Sequence, residues 1–260
     1  METYALITGA SKGIGRSIAI QLASAGYNLL LISRSEPDLK NLAELIKIEH
    51  KVSVLYLAID LSEPVAAEQI AAWVMGLNIQ LSVLINNAGY GLWGNFSELS
   101  IDEQMNMLRL NIDSLVTLTY RLLPFLKKQK QAYLLNVAST AAYQALPALA
   151  VYSASKAFIL SFTRAIRYEL KDTVVSVTVL SPGPTDTGFA HRAGLDALAE
   201  LAEKFNMSPD DVARIGLKGM FDKKAEIIPG ILNKLSAYAA KHLFKSLVER
   251  ISAGLYKNKK

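Results

Sequence analysis

Cysteine is absent from the 260-residue sequence, and histidine occurs only three times. The lack of thiols excludes a disulfide framework, a thiolate-zinc site and a cysteine nucleophile. His50, His191 and His242 are too scattered along the chain to indicate an imidazole metal cluster, and we therefore predict no metal site. The chemistry of this chain must come from hydroxyl, amide, carboxylate, amino and guanidinium groups.

The sequence also lacks long hydrophobic runs and low-complexity tracts. No apolar stretch approaches the roughly 20 residues that a membrane-spanning helix needs, and a strand predicted from about residue 4 leaves no room for a signal peptide. Apolar residues make up 51% of the chain and charged residues 20%, a balance typical of a globular protein with a large core. We therefore expect a globular protein located in the cytoplasm.

Positive charge is in excess, with a net charge of +5, but it is concentrated at one end of the chain. Residues 231–260 contain seven lysines and arginines and a single glutamate, so this segment carries a net +6 and the rest of the chain −1. A nucleic-acid-binding domain spreads its basic residues over a face of the domain. The distribution therefore argues against nucleic acid as a partner.

Short apolar, β-branched segments alternate along the chain with longer segments of helical periodicity. Strands are predicted near residues 4–8, 27–33, 52–58, 81–86, 132–138 and 173–181, with residues 226–228 as a candidate seventh strand. Continuous apolar runs are typical of parallel strands whose sheet is covered by helices on both faces. We predict the α/β class: a single doubly wound Rossmann-type domain over residues 1–230, with a parallel sheet of six or seven strands and helices on both faces.

Residues 231–260 are predicted to form a helical C-terminal extension of the same domain. Apolar residues recur there at helical spacing with lysines between them, a pattern that predicts a basic amphipathic helix. Such a helix can lie on an anionic membrane surface, or it can cover a groove of its own domain or of a partner subunit. We favour packing on protein, with peripheral membrane contact as the alternative.

The stretch TGASKGIG occupies residues 8–15, directly after the first predicted strand. Gly9 and Gly13 can adopt backbone conformations that other residues avoid, and Gly15 lets the following helix pack close to the sheet. The unpaired N–H groups and the dipole at a helix N-terminus favour an anion such as a pyrophosphate. Although the glycine spacing differs from the commoner Gly-x-Gly-x-x-Gly, its placement after the first strand predicts dinucleotide binding.

The end of the second predicted strand indicates which dinucleotide is preferred. An acidic residue at this position usually binds the ribose hydroxyls of NAD(H), but the strand ends in Ser33, Arg34 and Ser35 without a carboxylate. Arg34 offers a guanidinium group to a 2′-phosphate, and Lys12 lies in the glycine loop on the same side. The alternative is that both are solvated surface cations. We predict that NADP(H) is preferred over NAD(H).

Further motifs follow the other predicted strands. They are Asp60-Leu61, NNAG at residues 86–89, Asn111, Ser139, YSASK at residues 152–156 and PGPTDT at residues 182–187. Together with the glycine loop, this set resembles the short-chain dehydrogenase/reductase superfamily over residues 4 to about 190. The extension and the GYGLWGNF segment resemble the bacterial branch allied to long-chain 3-oxoacyl reductases. The resemblance implies an NADP-dependent oxidoreductase acting on CH–OH groups, which interconverts a carbonyl and an alcohol by hydride transfer.

The resemblance implies that Asn111, Ser139, Tyr152 and Lys156 are the catalytic residues. Tyr152 and Lys156 are four residues apart and share one helix face, where a nearby ammonium favours phenolate over phenol. Tyr152 would protonate the carbonyl oxygen that Ser139 holds, and Lys156 would also bind the nicotinamide ribose. Asn111 would hold a water that relays protons. The alternative function is a non-catalytic NADP(H)-binding sensor or scaffold, against which the complete tetrad argues.

The other matching positions predict contacts with the cofactor along the carboxyl edge of the sheet. The predicted cofactor-binding residues are Gly9, Ser11, Lys12, Gly13, Ile14, Gly15, Ser33, Arg34, Ser35, Asp60, Leu61, Asn87, Ala88, Gly89, Tyr152, Lys156, Pro182, Gly183, Thr185 and Thr187. Asn86 is predicted to tie strands together. By analogy with the family, we expect a homodimer or a homotetramer.

Substrate choice is expected in the loops beyond the sheet's carboxyl edge. The candidate substrate residues are Tyr90, Leu92, Trp93, Tyr143, Leu146 and Phe189. Because most of them are apolar or aromatic, they favour a hydrophobic carbonyl compound, such as one with an acyl chain, over a sugar or a small acid. The alternative is that these residues pack a lid.

Overall fold

The computed structural model describes residues 3–189, 193–194 and 206–256 of the chain. Strands and helices alternate as predicted, and the strands form one parallel sheet. The strands are β1 (Thr3–Thr8), β2 (Asn28–Ser33), β3 (Val54–Ala58), β4 (Gln80–Asn86), β5 (Ala132–Val137), β6 (Val175–Leu180) and β7 (Glu226–Ile227). The candidate seventh strand is therefore present as the two-residue β7.

The helices of the described residues fill the intervals between the strands and form the C-terminal extension. They are α1 (Gly13–Ser24), α2 (Glu36–His50), α3 (Ala66–Gly76), α4 (Ile101–Leu108), α5 (Ser114–Lys127), α6 (Ala150–Glu169), α7 (Pro209–Phe221), α8 (Ile231–His242) and α9 (Lys245–Tyr256). A π-helical turn, Arg109–Asp113, joins α4 to α5, and a 3-10 turn, Thr140–Tyr143, follows β5. None of the described helices combines the length and the hydrophobicity that crossing a bilayer requires.

The strand order creates a crevice at the centre of the sheet. The order is β3-β2-β1-β4-β5-β6-β7, so the chain moves outward from β1 to β3 and then returns to the other side of β1 at β4. In such a doubly wound sheet, ligands bind outside the carboxyl ends of the strands at the point of reversal. That point lies beyond Thr8 and Asn86, and the predicted Rossmann-type fold is confirmed.

The sheet separates two hydrophobic cores. Ala5 and Ile7 of β1 pack on one face with α1, α2 and α7, whereas Leu6 packs on the other face with α3 and α5. Residues 29–32 of β2 are completely buried, because helices cover both faces of the sheet. The continuous apolar runs of the sequence therefore correspond to central parallel strands.

Two strands begin two residues later than predicted. At β6, the Thr173 N–H donates to the Leu170 carbonyl (3.0 Å), and the Thr173 hydroxyl accepts from the Val175 N–H (3.2 Å). These local hydrogen bonds hold the chain in a turn and delay its pairing with β5 until Val175. At β3, the strand begins at Val54 rather than at residue 52.

The C-terminal extension is helical, as predicted. On α8, Ala237 is buried against the domain. A methyl group on Gly183 would lie only 2.5 Å from the Asn233 amide nitrogen, so α8 approaches the loop after β6 closely. Ile231 and Tyr238 on the same helix are exposed. The side of α8 that faces the domain therefore carries Asn233 and Ala237 rather than its largest apolar residues.

A chain of buried amide and hydroxyl groups ties the two central strands to two helices. The Asn86 amide of β4 donates to Thr119 of α5 (3.0 Å) and to the Asn136 oxygen of β5 (2.9 Å). The Asn136 amide in turn donates to the Thr163 hydroxyl of α6 (2.9 Å). Because all four residues are buried, each group depends on its protein partner rather than on water.

Replacing Asn136 by alanine should lower the free energy of unfolding by about 2–4 kcal/mol, because the Asn86 amide and the Thr163 hydroxyl lose buried partners. Urea unfolding followed by circular dichroism measures this change. Asn41→Ala, at an exposed position of α2, is the control and should change stability by less than about 0.5 kcal/mol. An equal effect of the two substitutions would contradict the prediction.

Candidate active site

The glycine loop after β1 has the backbone that its residues predict. Gly9 and Gly13 have φ values of +65° and +55°, in the left-handed region that favours glycine. A methyl group on Gly15 would lie 2.5 Å from the Asn87 amide nitrogen and closer still to the Gly9 carbonyl. The third glycine therefore lets α1 begin directly against the loop.

The loop after β4 is tied to the glycine loop. The Asn87 and Ala88 N–H groups both donate to the Thr8 hydroxyl, at 2.9 and 3.0 Å. The Asn87 side-chain amide donates to the carbonyls of Thr8 (3.0 Å) and Gly9 (3.3 Å). The carboxyl ends of β1 and β4 therefore form one unit at the crevice.

The N-terminus of α1 suits an anion. No side chain caps this helix, and its own first turn contains no acidic residue that would occupy its positive dipole end. A methyl group on Gly13 would lie 2.8 Å from the Thr187 side chain, which places the loop after β6 beside the glycine loop. The Thr187 hydroxyl accepts from the Phe189 N–H (3.3 Å).

The two cations predicted to bind a 2′-phosphate are each paired with a carboxylate. Arg34 lies 3.6 Å from Asp60, and Lys12 lies 3.3 Å from Asp38. Hydrogen bonds from Ser35 and Lys12 lower the pKa of Asp38. Burial raises the pKa of Asp60, but hydrogen bonds from Ser62 and the Arg34 charge outweigh it and lower the pKa. The strand-end motif did not indicate Asp38, because this residue lies in the first turn of α2.

Two serines flank Arg34 at the end of β2. The Ser35 hydroxyl caps α2 by accepting from the Asp38 N–H (3.4 Å). The Ser33 hydroxyl is buried and has no hydrogen-bond partner among the described residues. A buried polar group normally has a partner, so Ser33 fits a site that a polar ligand completes. The positive φ values of the glycine loop and the uncapped α1 fit the same dinucleotide.

Asn111 lies in the π-helical turn and is completely buried. Its side-chain oxygen accepts from the Tyr90 N–H (3.1 Å), and its amide donates to the Tyr90 carbonyl (3.0 Å) and the Ser155 hydroxyl (3.1 Å). A methyl group on Gly89 would lie 2.9 Å from the Asn111 oxygen and 3.4 Å from the Lys156 nitrogen. Gly89 therefore gives both side chains access to the loop after β4.

Tyr152 and Lys156 are both buried on α6. The Lys156 ammonium donates to the Val137 carbonyl at the end of β5 (3.0 Å) and lies 5.8 Å from the centroid of the Tyr152 ring. Burial lowers the pKa of Lys156 to about 8. Ser139 follows Val137 by two residues, and its hydroxyl accepts from the Ala141 N–H (3.1 Å). The end of β5 thus brings Ser139 and Lys156 to the same region.

Most of the predicted substrate residues form one apolar cluster around Tyr152. Leu146 is buried there, and the Phe189 ring centroid lies 5.5 Å from that of Tyr152. The other predicted members of the cluster are Tyr90, Leu92 and Trp93. Met107 and Leu149 also belong to it, although no sequence motif indicated them.

Tyr143 has a different environment from the other predicted substrate residues. Its hydroxyl donates to the Glu226 carboxylate (2.6 Å) and lies 3.1 Å from the Ser181 hydroxyl. The phenol is therefore engaged with the ends of β6 and β7. Its partner Glu226 was not indicated by any motif, because it lies 83 positions away along the chain.

The remaining predicted cofactor residues line the same edge of the sheet. Leu61 is buried, and Pro182 lies two residues after the end of β6, next to the Asn233 contact at Gly183. The Thr185 hydroxyl donates to the Gly183 carbonyl (3.0 Å), and Thr185 forms a parallel bridge with Met207. Ile14 packs against the core below α1, while Ser11 is half-buried in the glycine loop.

Several characterised proteins have similar sequences. Human 17-beta-hydroxysteroid dehydrogenase type 3 is 30% identical over 241 residues, which cover 92% of this chain and 77% of that protein. Sulfoacetaldehyde reductase 2 of Chromohalobacter salexigens is 33% identical over 221 residues, covering 83% of this chain and 87% of that protein. The very-long-chain 3-oxoacyl-CoA reductase of Coprinopsis cinerea is 32% identical over 170 residues, covering 65% and 50%.

Solved structures share the fold over nearly the whole chain. A short-chain dehydrogenase from Sphingobium yanoikuyae, solved with NADPH, superposes with a TM-score of 0.81 at 25% identity and covers 95% of this chain and 97% of its own. A 7beta-hydroxysteroid dehydrogenase superposes with a TM-score of 0.87 at 24% identity, covering 96% of each chain. The second likeness concerns the fold alone.

The sequence profile described as short chain dehydrogenase matches residues 3–197 of this chain. That span contains β1 to β6 and all four residues of the predicted tetrad. Together with the relatives above, the match confirms the resemblance that the motifs indicated. The chain belongs to the short-chain dehydrogenase family of oxidoreductases.

Proposed function

We propose that the protein is an NADP(H)-dependent reductase that interconverts a hydrophobic carbonyl compound and its alcohol. The observation that carries this proposal is the burial of Tyr152 and Lys156 on α6, with Tyr152 inside an apolar cluster and the Lys156 ammonium 5.8 Å from the centroid of the Tyr152 ring. The names of the human hydroxysteroid dehydrogenase and the fungal 3-oxoacyl-CoA reductase support a hydrophobic substrate.

A nicotinamide cofactor held by the glycine loop and Lys156 would supply the hydride for reduction and accept it for oxidation. Tyr152 donates its phenolic proton to the carbonyl oxygen, and the Lys156 ammonium stabilises the phenolate that remains. The Ser139 hydroxyl accepts from the Ala141 N–H, so its own proton can be donated to the same carbonyl oxygen. Asn111 holds the loop after β4 through Tyr90, which places that loop beside Lys156.

The preference for NADP(H) rests on Arg34 and Lys12. Arg34 at the end of β2 is 62% exposed and Lys12 in the glycine loop is 64% exposed, so a 2′-phosphate can reach both without displacing the core. Their carboxylate partners Asp60 and Asp38 neutralise them, and a phosphate must compete for the same donors. The Arg34 guanidinium can donate two parallel hydrogen bonds to a phosphate. Its contact with the Asp60 carboxylate, at 3.6 Å, is longer than a hydrogen bond, so the phosphate is the better partner.

Exposed aromatic residues on α5 and α6 support the proposed homo-oligomer. Tyr120 is 72% exposed and Tyr168 is 71% exposed. Phe158 and Phe162 stack on α6 with ring centroids 5.8 Å apart, and Phe158 is 41% exposed. Aromatic side chains are enriched at protein–protein contacts, so these residues are candidates for the expected contact between subunits.

Tyr152→Phe should lower kcat by about a hundredfold to ten-thousandfold while leaving the NADPH dissociation constant within about twofold, because the substitution removes only the transferable proton. NADPH oxidation with aliphatic aldehydes and ketones of increasing chain length measures turnover, and fluorescence titration measures binding. The control is Tyr120→Phe on the exposed face of α5. Unchanged turnover in Tyr152→Phe would refute the role assigned to Tyr152, whereas binding of NADPH without turnover by the native protein would favour the sensor or scaffold.

Arg34→Asp should lower the ratio of kcat/KM for NADPH to kcat/KM for NADH by at least about tenfold, because it removes a charge-assisted hydrogen bond to the phosphate and adds a repulsive charge. Lys47→Asp makes the same change of charge at the far end of α2 and serves as the control. The prediction fails if the native protein and Arg34→Asp both use the two cofactors equally.

The lowered pKa of Lys156 links its charge to the stability of the apoprotein. The pKa is about 8 in the folded protein, against an ordinary value of 10.5. Between these values the unfolded chain binds more protons, so stability rises with pH through this window. At pH 7 the protonated form of Lys156 still exceeds the neutral form by about tenfold, as its role beside Tyr152 requires. Keeping this buried charge costs about 3 kcal/mol in folding free energy.

Lys156→Met removes this titration and should make the unfolding free energy less dependent on pH. From pH 7 to about pH 9.5, the unfolding free energy of the native apoprotein should rise by about 2 kcal/mol relative to that of Lys156→Met. Urea unfolding at the two pH values measures the shift, and Lys47→Met, at an exposed position, is the control. A difference independent of pH would contradict the lowered pKa.

A further inference from the structure

A second polar cluster, which the proposed chemistry does not use, lies beside the active site. We call it the Glu226 cluster, and it consists of Glu226, Tyr143, Arg164, Ser181 and Lys241. One carboxylate oxygen of Glu226 accepts from the Tyr143 hydroxyl (2.6 Å), and the other accepts from the Arg164 guanidinium (2.7 Å). Lys241 lies 3.4 Å from the first of these oxygens. The Glu226 side chain is only 16% exposed, so the cluster is partly shielded from water.

The Glu226 cluster joins three segments that carry residues of the proposed site. Tyr143 is the last residue of the 3-10 turn that Ser139 caps. Arg164 lies on α6, about three helical turns after Tyr152. Ser181 directly follows β6 and precedes the Pro182–Gly183 turn. The Glu226 carboxylate therefore links the 3-10 turn to α6, and the Tyr143 hydroxyl links the same turn to the loop after β6.

The protonation states of the two central groups fix the direction of their hydrogen bond. Burial and the hydrogen bond to Glu226 raise the pKa of Tyr143 far above neutral pH. For Glu226, burial raises the pKa, but hydrogen bonds from Tyr143 and Lys241 and the charge of Arg164 outweigh it and lower the pKa. At neutral pH, Tyr143 is therefore always the donor and Glu226 always the acceptor.

The C-terminal extension covers this cluster. The Lys241 ammonium of α8 lies 4.7 Å from the centroid of the Tyr143 ring, a distance suited to a cation–π interaction. About two turns earlier on the same helix, Asn233 lies against Gly183. The extension thus contacts the 3-10 turn and the loop after β6 at the same time.

We infer that Glu226 is a positioning residue for Ser139, acting through Tyr143. The Ser139 hydroxyl is hydrogen-bonded into the 3-10 turn at one end, and Tyr143 anchors the other end of that turn to Glu226. Arg164 anchors the same carboxylate to the helix that carries Tyr152. The distance between the Ser139 hydroxyl and the Tyr152 phenol therefore depends on this connection, and a misplacement of about 1 Å can cost a hundredfold in rate. This inference rests on the proposed function.

Tyr143→Phe removes the connection with little risk to folding, because only one hydroxyl is lost. We expect kcat for the most active member of the aliphatic carbonyl series to fall by about tenfold to a hundredfold. The KM for that carbonyl and the dissociation constant of NADPH should stay within about twofold. Glu226→Gln should lower kcat in the same way. Glu68→Gln breaks a comparable ion pair with Arg121 (2.7 Å) between α3 and α5, and this control should leave kcat unchanged.

A double-mutant cycle with Ser139→Ala separates positioning from general destabilisation. If Tyr143 and Glu226 act through Ser139, adding Tyr143→Phe to Ser139→Ala should lower kcat no further. Three results would overturn the inference: an unchanged kcat in Tyr143→Phe, additive effects in the cycle, or a change confined to KM, which would make Tyr143 a substrate contact. None of these results bears on Tyr152→Phe, so failure of this inference is distinguishable from failure of the proposed function.

Discussion

The hydrogen bond between the Lys156 ammonium and the Val137 carbonyl is the contact on which the arrangement of the site depends. An ammonium group loses much hydration free energy when it is buried, and this one is almost completely removed from solvent. Its carbonyl partner lies at the end of a central strand, two residues before Ser139. Gly89 leaves room for the ammonium on the opposite side. The bond therefore joins α6 to the sheet at the point where the serine, the tyrosine and the loop after β4 meet.

The features that could be predicted from sequence are those encoded by neighbouring residues. The alternation of apolar and helical segments predicted the parallel sheet. The continuous apolar run at residues 29–32 is buried, as expected for a strand with helices on both faces of its sheet. The glycines of residues 9 and 13 have the positive φ values that their positions after β1 required. Even the marginal strand at Glu226 is present, although it is only two residues long. Local sequence was less informative about where strands begin. Before β6, for example, the Thr173 hydroxyl accepts a hydrogen bond from the Val175 N–H, and the strand begins only at Val175.

Partners that are distant in sequence could not be predicted, because no periodicity records them. Tyr143 lies next to the catalytic segment and has an aromatic ring, so its sequence context indicated a substrate contact. Its hydroxyl donates to a carboxylate of β7, which the chain reaches 83 residues later, after α6, β6 and α7. The pairing of Lys12 with Asp38 depends on how α2 lies across the glycine loop. The contact of Asn233 with Gly183 depends on the path of the C-terminal extension.

The π-helical turn between α4 and α5 limits how the length of this region can change during evolution. A π turn holds one residue more than the α-helical turn that it replaces, and here that turn presents Asn111 to the loop after β4. Because the extra residue is absorbed as a bulge, loss of one residue from Arg109–Asp113 would restore a regular helix without rotating α4 relative to α5. Gln104 and Met107, which are buried now, would stay in the interior, but the bulge that presents Asn111 would be lost. The length of this segment is therefore tied to the position of Asn111 rather than to the packing of α4.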